Sequence, residues 1–183
     1  MDFLQLAKER YSVRRYALTP VEEEKLQRIL EAGRIAPTAA NQQPQRFLVV
    51  KAAEGLAKLG KTANIHGAPL AVVVCGLQEQ AWKRPQDGHS MLEIDSSIAA
   101  THMVLQAYSE GIGSCWITWF DPAVVRREFA LPENVIPVHI LTFGYAATRA
   151  PSPERHSKQR IPLEQMVWEF DKPVSLKTSC NEA

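Results

Sequence analysis

Residues 91–117 read MLEIDSSIAATHMVLQAYSEGIGSCWI. Residues 91–110 predict the longest helix of the chain. Ile94, Ile98, Met103, Leu105 and Ala107 are apolar, and Ser96, Ser97, Ala99, Ala100 and Thr101 are small, so the helix is nearly apolar all round. A helix of that kind belongs in a core. Gly111 and Gly113 stop it, and Cys115 to Phe120 follows as a strand. A core helix needs layers packed on it. Upstream, Leu70 to Gly76 (LAVVVCG) is an unbroken apolar run and reads as a central strand. Downstream come a helix over Pro122 to Ala130 and a strand over Val135 to Tyr145, interrupted by Pro137. Helices alternate with a few apolar strands and no segment repeats. That pattern predicts a helix-flanked α/β or α+β sandwich.

Outward from this centre, residues 2–9 predict a short helix with Phe3, Leu4 and Ala7 on one face. A basic loop runs from Arg10 to Arg15. Thr19-Pro20-Val21-Glu22 reads as a capping box with proline at the first helical position. The helix it opens aligns Leu26, Ile29, Leu30 and Gly33 on one stripe and ends before Pro37. Residues 37–45 form an uncharged polar loop, Arg46 to Val50 a strand, and Gly55 to Thr62 part of a helix. Residues 82–90 are an exposed loop, 146–160 a proline-containing basic loop, and 161–170 hold a last short helix. One domain spans residues 1–170, and 171–183 read as a tail.

The chain has 183 residues, enough for one domain that buries roughly 70% of its unfolded surface. With 45% hydrophobic and 22% charged residues it is too apolar to be disordered. A formal net charge of +1 leaves no general nucleic-acid footprint, so any basic site is local. The cysteines (Cys75, Cys115, Cys180) are odd in number and far apart, which excludes a disulfide framework or a zinc site. The N-terminus carries charge too early for a signal peptide, and no apolar run approaches the ~20 residues of a membrane span. A soluble cytoplasmic protein is expected, with neither nucleic acid nor membrane as partner.

Four stretches can carry chemistry. In Arg10-Tyr11-Ser12-Val13-Arg14-Arg15, an extended backbone turns Arg10, Ser12 and Arg14 to one side, where two guanidinium forks and a hydroxyl can meet one phosphate. By spacing alone, a solvated basic turn is the more ordinary reading. Lys158-Gln159-Arg160 repeats the alternation in a late loop and is weaker still. In Pro37-Thr38-Ala39-Ala40-Asn41-Gln42-Gln43-Pro44, small residues let a flat ligand approach the backbone, and Asn41 and Gln43 offer donors and acceptors. In Gly111-Ile112-Gly113-Ser114-Cys115-Trp116-Ile117, Cys115 reads as a buried, inert thiol. His102 and His139 read as structural. No dinucleotide or P-loop fingerprint, zincin spacing or hydrolase elbow is present.

Taken in order, the R-x-S-x-R, the A-P-T-A-x-N-x-Q-P loop, the long helix ending G-I-G-S-C-W-I, and a late F-G-Y with K-x-R-x-P resemble the FMN-dependent nitroreductase family over about residues 3–168. The resemblance implies an α+β fold whose central, mostly antiparallel sheet is wrapped by helices, in an intertwined homodimer with FMN at the subunit interface. It implies that Arg10, Ser12, Arg14, Lys158 and Arg160 hold the phosphate, with Tyr11 among them. Pro37, Thr38, Ala39 and Asn41 would come from the other subunit to line the ring and ribityl chain, with Gln43 beside them. Cys115, Trp116 and Ile117, in the turn reaching Thr118, would lie against the ring edge, and a further family contact falls near Lys61 to Asn64. The family loop usually continues Q-P-W, whereas Gln45 follows Pro44 here. The segment before the core helix is short, which implies a small substrate lid.

The family's chemistry would move electrons from NADH or NADPH through FMN to a small acceptor such as a nitroaromatic or a quinone. The cofactor carries that chemistry, so no catalytic side chain and no metal is expected. Other readings stay open at this point. They are flavin destruction, dehalogenation or azoline oxidation on the same scaffold, a flavin-binding module without turnover, and a plain phosphate binder.

Overall fold

The computed structural model describes residues 2–170. Strands β1 (Gln45–Val50), β2 (Leu70–Leu77), β3 (Gly113–Ile117) and β4 (Val135–Gly144) form one sheet in the order β1-β2-β4-β3. Every pairing in it is antiparallel. As the apolar run 70–76 implies, β2 is an interior strand. Leu70, Val72 and Val74 enter one core, while Ala71, Val73 and Cys75 enter another on the opposite face. Period-two alternation with both faces covered explains why the strand shows no polar residue.

Helix α4 (Leu92–Ser109) lies on the first face, packed with α2 (Glu23–Arg34). Leu26 and Ile29 of α2 meet Ala100, Met103, Val104 and Ala107 of α4 above Leu141 and Phe143. Full burial of each large apolar side chain contributes about 1.5–3 kcal/mol. The crossing is tight. A Cβ at Gly33 would lie 2.8 Å from both Met103 Cγ and Phe47 Cζ, so the stripe on α2 needs glycine there. The opposite face packs under α3 (Ala53–Leu59) and α5 (Pro122–Glu128) through Leu59, Val125 and Ile140. The N-terminal α1 (Phe3–Glu9) is capped by the Asp2 carboxylate, which accepts from the Gln5 amide at 2.9 Å.

Three sequence expectations change. The capping box does not form, because α2 starts at Glu23 and Glu22 makes no capping bond. The Glu22 carboxylate instead accepts from the Tyr145 hydroxyl at 2.7 Å and pairs with Lys25. Pro137 does not divide β4. It produces a bulge, with Val74 opposite His139 and Cys75 opposite Pro137, leaving Val138 over. Proline is tolerated because β3 reaches only Ile140, so beyond that point β4 has a free side. The loop expected over 146–160 contains helix α6 (Arg155–Gln159).

The first compact unit ends at Ala150, and a second begins at Pro151 with α6 and α7 (Leu163–Met166). The expected tail, 171–183, lies outside the described residues. Among the described residues no helix is long and apolar enough to cross a membrane.

Candidate functional site

After α1 the chain runs extended beside β3. Ser12 forms a parallel bridge with Ser114, and the Val13 amide donates to the Ser114 carbonyl at 2.8 Å. Alternation then sorts the side chains as expected. Tyr11 and Val13 pack inward with Tyr16 and Ala68. The Ser12 side chain and the charges of Arg14 and Arg10 all act on the Cys115 thiol. The approach depends on Gly113, where a Cβ would stand 2.6 Å from Val13 Cγ2. Beneath, the Tyr16 hydroxyl and Thr142 Oγ1 are hydrogen-bonded at 2.8 Å, and Thr142 Oγ1 donates to the Cys115 carbonyl at 3.3 Å.

Cys115 is 3% exposed. Burial pushes its thiol up, and the pull of Arg14, Arg10 and Ser12 in the other direction does not cancel it. A neutral thiol is a poor nucleophile, in line with the structural reading of this residue.

Arg14 stands on a cleft of about 530 Å³ whose wall is the end of β3 and the residues after it, Cys115 to Trp119. The opposite wall is Thr62, Asn64 and His66. Thr62 Oγ1 accepts from the Asp121 amide at 2.6 Å, and Asn64 Oδ1 accepts from the His66 amide at 3.0 Å. His66 has φ 56°, a left-handed backbone. Its imidazole is held below the usual histidine range, first by burial and then by the Arg14 charge. Trp119 is 92% exposed at this cleft. The volume falls in the range of small-molecule sites. An aromatic wall, an arginine and nearby hydroxyl donors fit a flat group bearing an anion.

The loop 37–43 is built differently. Residues Ala39–Asn41 make a short 3-10 turn, and Ala40, Asn41 and Gln43 have φ of 49°, 54° and 50°. For residues with a Cβ, left-handed backbone costs roughly 1–2 kcal/mol each, less for Asn41. Local bonds offset the strain. Thr38 Oγ1 accepts from the Gln43 amide at 3.0 Å, and Gln43 Nε2 donates to the Asn41 carbonyl at 3.1 Å. From outside the loop, Asp95 Oδ1 on α4 accepts from the Ala39 amide at 2.9 Å.

Within one chain the loop and the basic cleft do not meet. The loop leads into β1 at one edge of the sheet, and Cys115 to Ile117 lie in β3 at the other. Three strand spacings, about 14 Å, separate the edges. No residue of 37–43 lines the cleft beside Arg14, and Gln43 lines a separate one of about 420 Å³ with Arg34 and Arg46. Lys158 sits in α6, and the Arg160 amide caps that helix by donating to the His156 carbonyl at 3.1 Å. Both are exposed and belong to the second unit, and the alternation expected of a loop there is replaced by helix.

Sequence reasoning passed over His66, Trp119 and Asp95, and reached Thr62 and Asn64 only through the family contact expected near Lys61 to Asn64. Asn64-Ile65-His66-Gly67 carried a turn signal, since asparagine and glycine favour such backbone. Asp95 was a lone carboxylate on a helix face otherwise small and apolar.

Relatives carry the same architecture. A Methanothermobacter thermautotrophicus protein, whose provisional name is NADH dehydrogenase/NAD(P)H nitroreductase, is 33% identical over 173 residues, 90% of this chain and 88% of the relative. The crystal structure of a nitroreductase family protein from Clostridium difficile 630 superposes with a TM-score of 0.91 at 47% identity, covering 94% of this chain and 100% of that one. A Desulfovibrio desulfuricans structure in complex with FMN gives 0.77 at 26% identity, with coverage of 93% and 97%. The family model for nitroreductases matches residues 7–65 and 57–145. With most of the first compact unit matched and the fold shared, this chain belongs to the nitroreductase family.

Proposed function

We propose that this chain is an FMN-dependent oxidoreductase that takes electrons from NADH or NADPH and delivers them to a small acceptor such as a nitroaromatic or quinone. The observation that carries the reading is the extended segment Arg10 to Arg14, held against β3 by the Ser12–Ser114 bridge, which sets Arg14 on a cleft walled by Cys115 to Trp119. A structure of the same fold in complex with FMN supports it.

In this reading Arg10, Ser12 and Arg14 hold the flavin phosphate by charge-assisted hydrogen bonds. Cys115, Trp116 and Ile117, with Thr118, lie along the ring edge. His66, held below the usual histidine range, supplies hydrogen bonding there without adding charge. FMN, when bound, would supply the redox chemistry that links nicotinamide to acceptor. Trp119 offers a flat face on which an aromatic acceptor stacks.

The other half of the site comes from a second copy. Pro37, Thr38, Ala39 and Asn41, with Gln43 beside them, sit across the sheet from Cys115 and reach a flavin only from a partner chain. The outer face of α4 supports such an interface, since Ile94 is 46% exposed there and lines a groove with Ser97, Ile98 and Thr101. Unpaired, buried Cys75 and Cys115 suit the reducing cytoplasm.

The test is reconstitution with excess FMN or FAD, gel filtration, and an absorption spectrum. FMN retained in stoichiometric amount, with FAD lost on the column, is the expected result. Protein that emerges without flavin bands contradicts the reading.

A further inference from the structure

We propose that Asp95 is a positioning residue. Its carboxylate, on the core helix, sets the left-handed conformation of the loop 38–43 and thereby the flavin affinity of the site that loop completes. The second clause rests on the function proposed above, and the first does not.

Asp95 is 1% exposed. A buried carboxylate is costly unless its lone pairs are filled. Here Oδ1 accepts one bond, from the Ala39 amide at 2.9 Å, while Oδ2 is buried without a hydrogen-bond partner among the described residues. The side-chain oxygens of Ser96 and Gln45 are likewise buried without partners. An apolar side chain of similar size would serve the core better, so core stability does not explain the residue.

The loop does explain it. Ala40, Asn41 and Gln43 all hold left-handed backbone, and such strain persists only where the surroundings over-determine it. The bonds of Thr38 and Gln43 are internal to the loop and would move with it. Three bonds fasten it from outside. At the far end the Leu77 amide donates to the Pro44 carbonyl at 2.8 Å and Arg46 Nη1 to the Gln43 carbonyl at 3.1 Å, whereas Asp95 alone of the three takes an amide, that of Ala39, immediately before the strained residues. A charged acceptor on a rigid helix is the stronger kind of anchor. It fixes where Ala39 and Asn41 face outward.

The experiment compares Asp95→Leu and Asp95→Asn with the unaltered protein. Asp95→Leu removes the acceptor and the buried charge together, and Asp95→Asn keeps an acceptor for the Ala39 amide. Each is followed by thermal unfolding, by hydrogen exchange of the peptide covering 38–43 in apoprotein, and by FMN titration. We expect Asp95→Leu to unfold cooperatively without loss of stability, yet to exchange its loop amides at least about ten-fold faster and bind FMN at least about ten-fold more weakly. Asp95→Asn should stay within about three-fold of the parent in both. Unchanged loop exchange in Asp95→Leu overturns the proposal, whatever the flavin does. So does unchanged FMN affinity in Asp95→Leu when Asn41→Ala, run alongside, loses affinity, and the function then stands. If the parent protein itself takes up no FMN, the function fails, while loop exchange still decides whether Asp95 sets the loop.

Discussion

Ser12 and Ser114 are paired in a parallel bridge that ties the segment after α1 to the first turn of β3, with the Val13 amide donating to the Ser114 carbonyl at 2.8 Å. The bridge sets the register in which Ser12 lies beside β3 and Arg14 reaches the cleft. One local pairing therefore brings together the basic segment and an aromatic wall.

The basic segment should read phosphate and nothing else. Each charge-assisted hydrogen bond contributes about 1.5–3 kcal/mol, so Arg14→Ala should weaken FMN roughly ten- to a hundred-fold. Riboflavin, which lacks the phosphate, should bind parent and variant about equally. Fluorescence titration of both ligands checks this, and an equal loss for riboflavin would show that Arg14 does not serve the phosphate.

Trp119 should act on the acceptor rather than on the flavin. An aromatic stack is worth about 0.5–1.5 kcal/mol beyond buried area. Trp119→Ala should raise KM for a nitroaromatic about two- to ten-fold, leaving flavin affinity and the rate of reduction by NAD(P)H in place. Steady-state kinetics with an aromatic and a non-aromatic acceptor separates this from a general loss.

The buried histidine of β4 should make the fold acid-sensitive. His139 packs edge-on to Trp116 at 4.6 Å between centroids, and its Nε2 is hydrogen-bonded to Ser97 Oγ at 2.8 Å. Ser97 Oγ donates onward to the Glu93 carbonyl, so Nε2 carries the proton in that pair. Burial lowers His139 to about 4 from an ordinary 6.5. The unfolded chain therefore binds a proton that the folded chain excludes. The stabilisation is fully present above about pH 6.5 and is lost as pH falls from there towards 4. Allowing for solvent screening, it is on the order of 2 kcal/mol. Urea unfolding of parent and His139→Phe should diverge in their pH dependence over that window and run parallel above it. Parallel curves throughout would contradict the assignment.

Much of this was legible in the sequence, where it depends on local rules. The core helix declared itself by its apolar residues and glycine stop, and the central strand by its unbroken apolar run. Arg10, Ser12 and Arg14 share a side because extended backbone alternates, a rule that needs no tertiary information. His66 and Trp119 were hidden because the cleft forms only when the turn 62–67 meets the end of β3. Asp95 was hidden because the amide it receives is 56 residues away. The failed capping box has the same cause, since Glu22 is drawn to Tyr145 from across the chain.

The two-edge arrangement of the half-sites makes composite sites in a dimer testable. Asn41→Ala and Arg14→Ala chains, each weak in flavin binding alone, should recover about half the native high-affinity capacity when mixed and reassembled. Each mixed dimer then holds one doubly altered site and one intact site. If each chain binds its own flavin, mixing restores none.

The most direct measurement is anaerobic addition of NADH or NADPH to FMN-loaded protein, followed by a small acceptor, with the flavin absorption recorded throughout. The visible band should bleach with nicotinamide oxidation and return when a nitroaromatic or quinone is added. A band that persists under excess of both nicotinamides, with flavin still bound, would contradict electron transfer as the work of this chain.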